Sequence, residues 1–208
     1  MTVNDIVGDA RVARVRELKK ELAEAKARLQ EVESERNALK AHFDLALVAL
    51  RDFEQLGPKD RLLIIDGWNA ILRYRNVSKL TSEDISKLKA EYLAELGIGP
   101  PGKGARGLHS PSLTSSANAQ PLTTWIVFDG AEANSYRSGP YRVTYTGGMG
   151  PHRADRLILD YVHASKLLGL DVSRITVETA DKALEKTAVA LGASVSSGNS
   201  LTVGQMRL

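Results

Sequence analysis

Leu62-Leu63-Ile64-Ile65-Asp66-Gly67-Trp68-Asn69 is a short apolar run that stops at an acid and a glycine. A run of this length between turn residues reads as a strand buried on both faces. The pattern recurs in Trp125-Ile126-Val127-Phe128-Asp129-Gly130 and in Ile175-Thr176-Val177-Glu178-Thr179-Ala180-Asp181. Amphipathic helical stretches lie between, among them His152-Arg153-Ala154-Asp155-Arg156-Leu157-Ile158. Leu157, Ile158, Tyr161, Val162, Ser165 and Leu168 mark its inner face at helical spacing. Strands alternating with helices predict a parallel sheet whose strand carboxyl ends share one edge, where ligands bind.

The expected elements are strands at 61–66, 124–129, 141–146, 173–178 and 193–195, with helices at 81–96, 152–168 and 181–191. The fold class they predict is α/β, a three-layer αβα sandwich with a mainly parallel sheet. Asp66, Asp129, Asp155 and Asp181 each fall at a strand end or helix start. Carboxylates gathered at one edge repel each other unless a hard cation lies between them. The expected cofactor is therefore Mg²⁺ or Mn²⁺, with those four aspartates as metal ligands. Asp66, Asp129 and Asp155 also have a plainer use as helix caps.

The amino-terminal part has a different grammar. From Val12 to Leu50 two apolar rows advance in steps of seven: Leu18, Ala25, Val32, Leu39 and Ala46, then Val15, Leu22, Leu29, Phe43 and Leu50. Arg36 interrupts the second row. The residues between are mostly Glu, Lys, Arg, Gln and Ala, so a long coiled-coil helix is predicted. Its apolar stripe calls for a partner, and a homodimer is the expected pairing; docking on the chain's own domain or on another protein are the alternatives. Gly57-Pro58 ends the helix. The domains expected are thus an arm at 1–57 and an α/β domain at 58–208, interrupted by a Gly/Pro/Ser-rich insertion at about 97–121.

Composition narrows the function. Without cysteine there is no thiolate nucleophile, disulfide or zinc–thiolate site. No stretch reads as a secretory signal or a membrane span, so a cytoplasmic location and no membrane partner are expected. Residues 1–57 hold ten Lys/Arg against eleven Asp/Glu, and residues 58–208 hold eighteen against fourteen, a balance of +4. A basic domain with an acidic pocket suits a polyanionic substrate.

Two familiar motifs fail. Gly97-Ile98-Gly99-Pro100-Pro101-Gly102-Lys103-Gly104 imitates a phosphate-binding loop, but Gly104 replaces the hydroxyl residue and the stretch follows a helix. Asp66 does not start the Asp-x-Asp of haloacid-dehalogenase phosphatases, because Trp68 stands at the second position.

Ile65-Asp66-Gly67-Trp68-Asn69-Ala70-Ile71, Val127-Phe128-Asp129-Gly130, Ala154-Asp155-Arg156-Leu157-Ile158 and Thr179-Ala180-Asp181 together resemble the NYN domain of the PIN-like nuclease superfamily. The likeness is to its YacP-like branch, over about residues 61–200. Trp68 replaces the family's usual Tyr, and Ala180 its common Ser. The resemblance implies a metal-dependent ribonuclease, expected to be an endonuclease, that hydrolyses RNA phosphodiesters at the aspartate cluster. Catalytic residues would be Asp66, Asn69, Asp129, Asp155 and Asp181, with His152, Arg153, Arg156 and Lys182 meeting substrate phosphates. The alternative is a PIN-like scaffold that holds RNA or a ribosome without cutting, recruited through its coiled coil.

Overall fold

The computed structural model describes residues 3–74, 81–99, 122–148 and 152–196, with side chains from Arg14 onward except that of Tyr74. Beyond Gly99, the expected insertion lies outside the described residues. The chain divides into two compact units, Met1–Phe43 and Asp44–Leu208. No described helix is long and apolar enough to cross a membrane.

The first unit is helical, part of α1 (Val3–Gln55). Its two apolar rows stand in the open: Leu22, Leu29, Val32, Leu39 and Phe43 are all exposed. Among the flanking charges, Arg14 pairs with Glu17 one turn on at 2.7 Å.

The second unit begins inside α1, at Asp44 rather than at the expected residue 58. Ala49, Phe53 and Leu56 are buried in the domain core, with Leu45 and Val48 packed beside them. Leu50 stays exposed. Phe53, seven residues after Ala46, carries the first apolar row on into the core, joined there by Ala49 and Leu56.

A six-stranded sheet follows, with strand order β3-β4-β2-β1-β5-β6. The strands are β1 (Leu62–Asp66), β2 (Thr124–Phe128), β3 (Ala133–Ser138), β4 (Tyr141–Thr146), β5 (Ile175–Glu178) and β6 (Ser194–Ser196). All neighbours run parallel except β3, which pairs antiparallel with β4 in a hairpin. The helices after α1 are α2 (Gly67–Tyr74), α3 (Ser82–Glu95), α4 (Arg153–Leu167) and α5 (Lys182–Leu191). The chain is thus α/β with a mostly parallel sheet and a long amino-terminal helix.

Alternate residues of the central strands feed two cores. Leu62, Ile64, Trp125 and Val127 meet α4, α5 and the end of α1. Ile65, Ile126 and Phe128 meet α2 and α3. Two elements were not expected. Helix α2 starts directly after Asp66, where a turn was read, and β3 is a half-exposed polar strand with little apolar signal. The β5 strand starts at Ile175, later than expected, because Val172–Arg174 forms a 3₁₀ turn capped by Asp171.

Behind the sheet, α1 is fastened by a buried polar knot. Asp52 is 1% exposed and accepts from both terminal nitrogens of Arg142, one at 2.8 Å, and from the Tyr161 hydroxyl at 2.9 Å. The Arg142 guanidinium also lies over the Trp125 ring, 5.5 Å from its centroid. A buried charge needs a partner and filled hydrogen bonds, and Asp52 has both.

Candidate functional site at the carboxyl edge of the sheet

Asp66 closes β1 and is 2% exposed. Among the described residues, every donor to it is neutral. The Asn69 side-chain amide donates to Oδ2, the Asn69 backbone N–H to Oδ1 at 3.3 Å, and the Thr179 hydroxyl to Oδ2 at 3.2 Å. Asn69 sits in the first turn of α2, three residues on, so its backbone and side chain both face back to the strand end. Burial raises the Asp66 pKa above its ordinary value of 3.8; the Asp155 charge adds to the rise, and the Asn69 and Thr179 hydrogen bonds oppose it.

Gly67 has a steric reason. A Cβ there would lie 2.6 Å from Cδ1 and 2.8 Å from Cζ of Phe128. The ring of the neighbouring strand thus occupies the space in which any larger residue would stand, which links the Asp66-Gly67 and Phe128-Asp129 stretches physically.

Asp129 follows β2. Its Oδ1 accepts from the Ala154 backbone N–H at 2.7 Å, in the first turn of α4, and from the Thr146 hydroxyl at 3.4 Å. It therefore caps α4 from another strand, holding the helix that carries Asp155 to the sheet edge. Asp181 is the N-cap of α5, its Oδ1 accepting from Ala183 and Leu184 at 2.7 and 3.0 Å. The plainer reading of Asp129 as a cap thus holds alongside its placement at the edge, and Asp181 caps a helix without having been expected to.

His152 supplies a feature that sequence did not assign. It precedes α4 in the left-handed region, φ 60°, the one non-glycine residue with positive φ among those described. Such a conformation is uncommon away from Asn, Asp, Gly and His. Its Nδ1 lies 2.8 Å from Asp155 Oδ2. The hydrogen bond and charge of Asp155, helped by the charges of Asp181 and Asp129, raise the His152 pKa above 6.5. One ligand atom each from His152, Asp155 and Asp181 lies within 4.8 Å of the others. His152, expected to touch substrate, thus stands with the acids as a possible ligand.

The remaining expected cations are placed differently. Arg153 is exposed, with its guanidinium over Gly148 where a Cβ would collide with it. Arg156 reaches Asp160 at 4.0 Å along its own helix, and Lys182 pairs with Glu185 at 2.6 Å. Glu178, three residues before Asp181, is buried at the end of β5 with Arg73 3.7 Å away. Burial raises its pKa against the lowering effect of Arg73.

Lys89, Thr146 and Thr179 were not singled out from sequence. Lys89 leaves α3 beside the inward-facing Leu88, and its ammonium donates to the backbone carbonyl of Asp129. Thr179 lies within a quoted stretch, but only the structure joins it to Asp66.

Oxygen-rich and anionic, this edge offers hard ligands of the sort magnesium and manganese accept. The chain matches no family model, no curated protein and no solved structure with which it was compared.

Proposed function

We propose that the chain is a metal-dependent ribonuclease, a PIN-like three-layer sandwich of the NYN type that hydrolyses RNA phosphodiester bonds at Asp66, Asp129, Asp155 and Asp181. One observation supports the reading: Asp66 is buried, its donors among the described residues are all neutral, and the charge of Asp155, from a different element, adds to the rise of its pKa. A buried anion in that position is stabilised by a cation, and among the described residues no Lys or Arg is recorded as its ion-pair partner.

Asp155, Asp181 and His152, whose ligand atoms lie within 4.8 Å of one another, would hold Mg²⁺ or Mn²⁺ together with Asp66, and carboxylates suit a hard divalent ion. Bound there, the ion supplies Lewis acidity to the scissile phosphate and lowers the pKa of an attacking water. Asn69 and Thr179 orient the Asp66 carboxylate. Asp129 holds the first turn of α4, and so the position of Asp155. Arg153, Arg156 and Lys182 remain as exposed cations for phosphates of a passing strand.

The test is cleavage of a labelled single-stranded or structured RNA with Mg²⁺ or Mn²⁺. The parent should cut, and Asp66→Asn with Asp155→Asn should remove cutting while circular dichroism remains unchanged. Equal rates in the two proteins would end the proposal. The second reading, a scaffold that binds RNA without cutting, draws on the exposed apolar rows of the arm. It predicts RNA binding without divalent-ion affinity at the aspartates.

A further inference from the structure

Lys89 occupies an unusual place for an ammonium. Its Nζ lies 5.3 Å from the ring centroid of Phe128, 5.7 Å from that of Tyr145 and 6.0 Å from that of Trp68. Phe128 and Tyr145 are stacked, centroids 5.5 Å apart at 20°. A methionine or leucine would fill a gap among three rings without the cost of taking a charge out of water. Yet the ammonium is there, half-buried and fixed to the main chain of Asp129. Burial lowers its pKa, and the Asp129 charge pulls the other way.

The position is set by the fold. A capping box formed by Thr81 and Asp84 starts α3, and Leu88, Tyr92 and Leu93 seat it on the α2 side of the core. Lys89 is thereby delivered to the end of β2, beside the aspartate edge. His152, Arg153, Arg156 and Lys182 are all exposed by contrast. Trp68, two residues after Asp66, and Tyr145 are both partly exposed around the ammonium.

We propose that Lys89, Trp68 and Tyr145 form a subsite for single-stranded nucleic acid, the ammonium meeting a backbone phosphate and the rings receiving an unpaired base. This rests on the nuclease reading and deepens it, because it names the strand's path on the α2–α3 side of the aspartates. Aromatic rings take bases of any identity by stacking, and a lysine meets phosphate as a point charge without reading sequence. The subsite therefore favours unpaired over duplex substrate and shows little sequence preference.

The experiment uses the full chain, a short fluorescent single-stranded oligoribonucleotide and a buffer containing EDTA, so that binding is measured without cleavage. Lys89→Met keeps the packing and should weaken binding about tenfold at low salt. It should also reduce the slope of log affinity against log salt by about one. Lys89→Arg should retain both. Trp68 and Trp125 are the two tryptophans, and Trp125 is 2% exposed. Oligonucleotide should therefore quench emission in the parent and not in Trp68→Leu. Parental affinity and salt slope in Lys89→Met, quenching that survives in Trp68→Leu, or no binding by the parent would each overturn the subsite. Cleavage is scored separately with Mg²⁺. A parent that cuts while Lys89→Met binds normally removes the subsite alone. A parent that binds through Lys89 without cutting removes the nuclease reading alone.

Discussion

Asp52 and Asp66 are buried to nearly the same degree, 1% and 2% exposed, yet their surroundings are opposite. Asp52 meets a guanidinium with both oxygens and a phenol besides. Asp66 meets an amide, a backbone N–H and a hydroxyl, and Asp155 adds repulsion. A fold that can neutralise one buried acid so fully gives the other, among the described residues, neutral donors only. The difference separates an acid that fastens α1 to the sheet from the one proposed to receive a cation from solution. Each prediction below presses on one side of that contrast.

The largest effect is expected from cutting the chain behind Asp52. Removing residues 1–56 deletes Ala49, Asp52 and Phe53 with Leu56 from the core and leaves Arg142 and Tyr161 without their acid. Lost large core side chains cost about 2–5 kcal/mol each, against about 5–15 kcal/mol for a whole domain. The truncated chain should not melt cooperatively. Removing residues 1–43 should leave a domain that does, and should abolish the pairing of two arms proposed from the heptad rows. Calorimetry and light scattering on both truncations decide these points; a sharp transition in the 57–208 chain would refute the first.

Next in size is Asp52→Ala. It strands the Arg142 guanidinium beside Trp125 and should cost about 3–5 kcal/mol. Replacing both partners by apolar residues, Asp52→Leu with Arg142→Met, should recover much of that loss, since a buried pair is often matched by good apolar packing. Urea titration measures both. A single substitution costing under about 1 kcal/mol would show that the pair behaves like a surface one.

Gly67→Ala acts between the two acids' environments. The added methyl meets the Phe128 ring, so overpacking of about 1–3 kcal/mol is expected. Phe128 touches the Lys89 cage as well, so oligonucleotide affinity should fall with stability. Wild-type stability in the variant would mean that the ring can move aside freely.

How much of this was legible beforehand depends on what kind of signal each residue carries. The β1, β2 and β5 strands announce themselves as apolar runs, and the aspartates as their terminators. Strand β3 does not, since Ala133–Ser138 is polar and half-exposed and is held by pairing with β4 rather than by a buried face. Helix α2 was hidden because Asp-Gly-Trp-Asn reads as a turn; only the Asn69 contacts to Asp66 disclose the helix start. Asp52 looks like any acid on a charged helix. Its partners Arg142 and Tyr161 are ninety and more positions away, beyond the reach of periodicity. Lys89 was missed for the same reason, its rings arriving from α2, β2 and β4.

The smallest effect sharpens the Asp66 side. If that carboxylate receives a divalent ion, Mg²⁺ or Mn²⁺ at ten times its dissociation constant should stabilise the domain by about 1.4 kcal/mol, and EDTA should reverse the gain. Protons compete with the ion for the same oxygens. The folded-state pKa of Asp66 is raised, so the proton is held more tightly in the folded protein than in the unfolded chain. Stability from that proton is therefore fully present below the ordinary value of 3.8 and is lost as pH rises through the folded pKa. The ion's contribution runs the other way, complete above the folded pKa and fading as pH falls through it, at a higher pH than an ordinary aspartate would give. Melting curves with and without Mn²⁺ across an acid series should converge on acidification. In Asp66→Asn the ion-dependent shift should be reduced at every pH, whereas Asp52→Asn should leave it intact. A shift that persists in Asp66→Asn would place the cation elsewhere and leave the contrast between the two acids without its functional half.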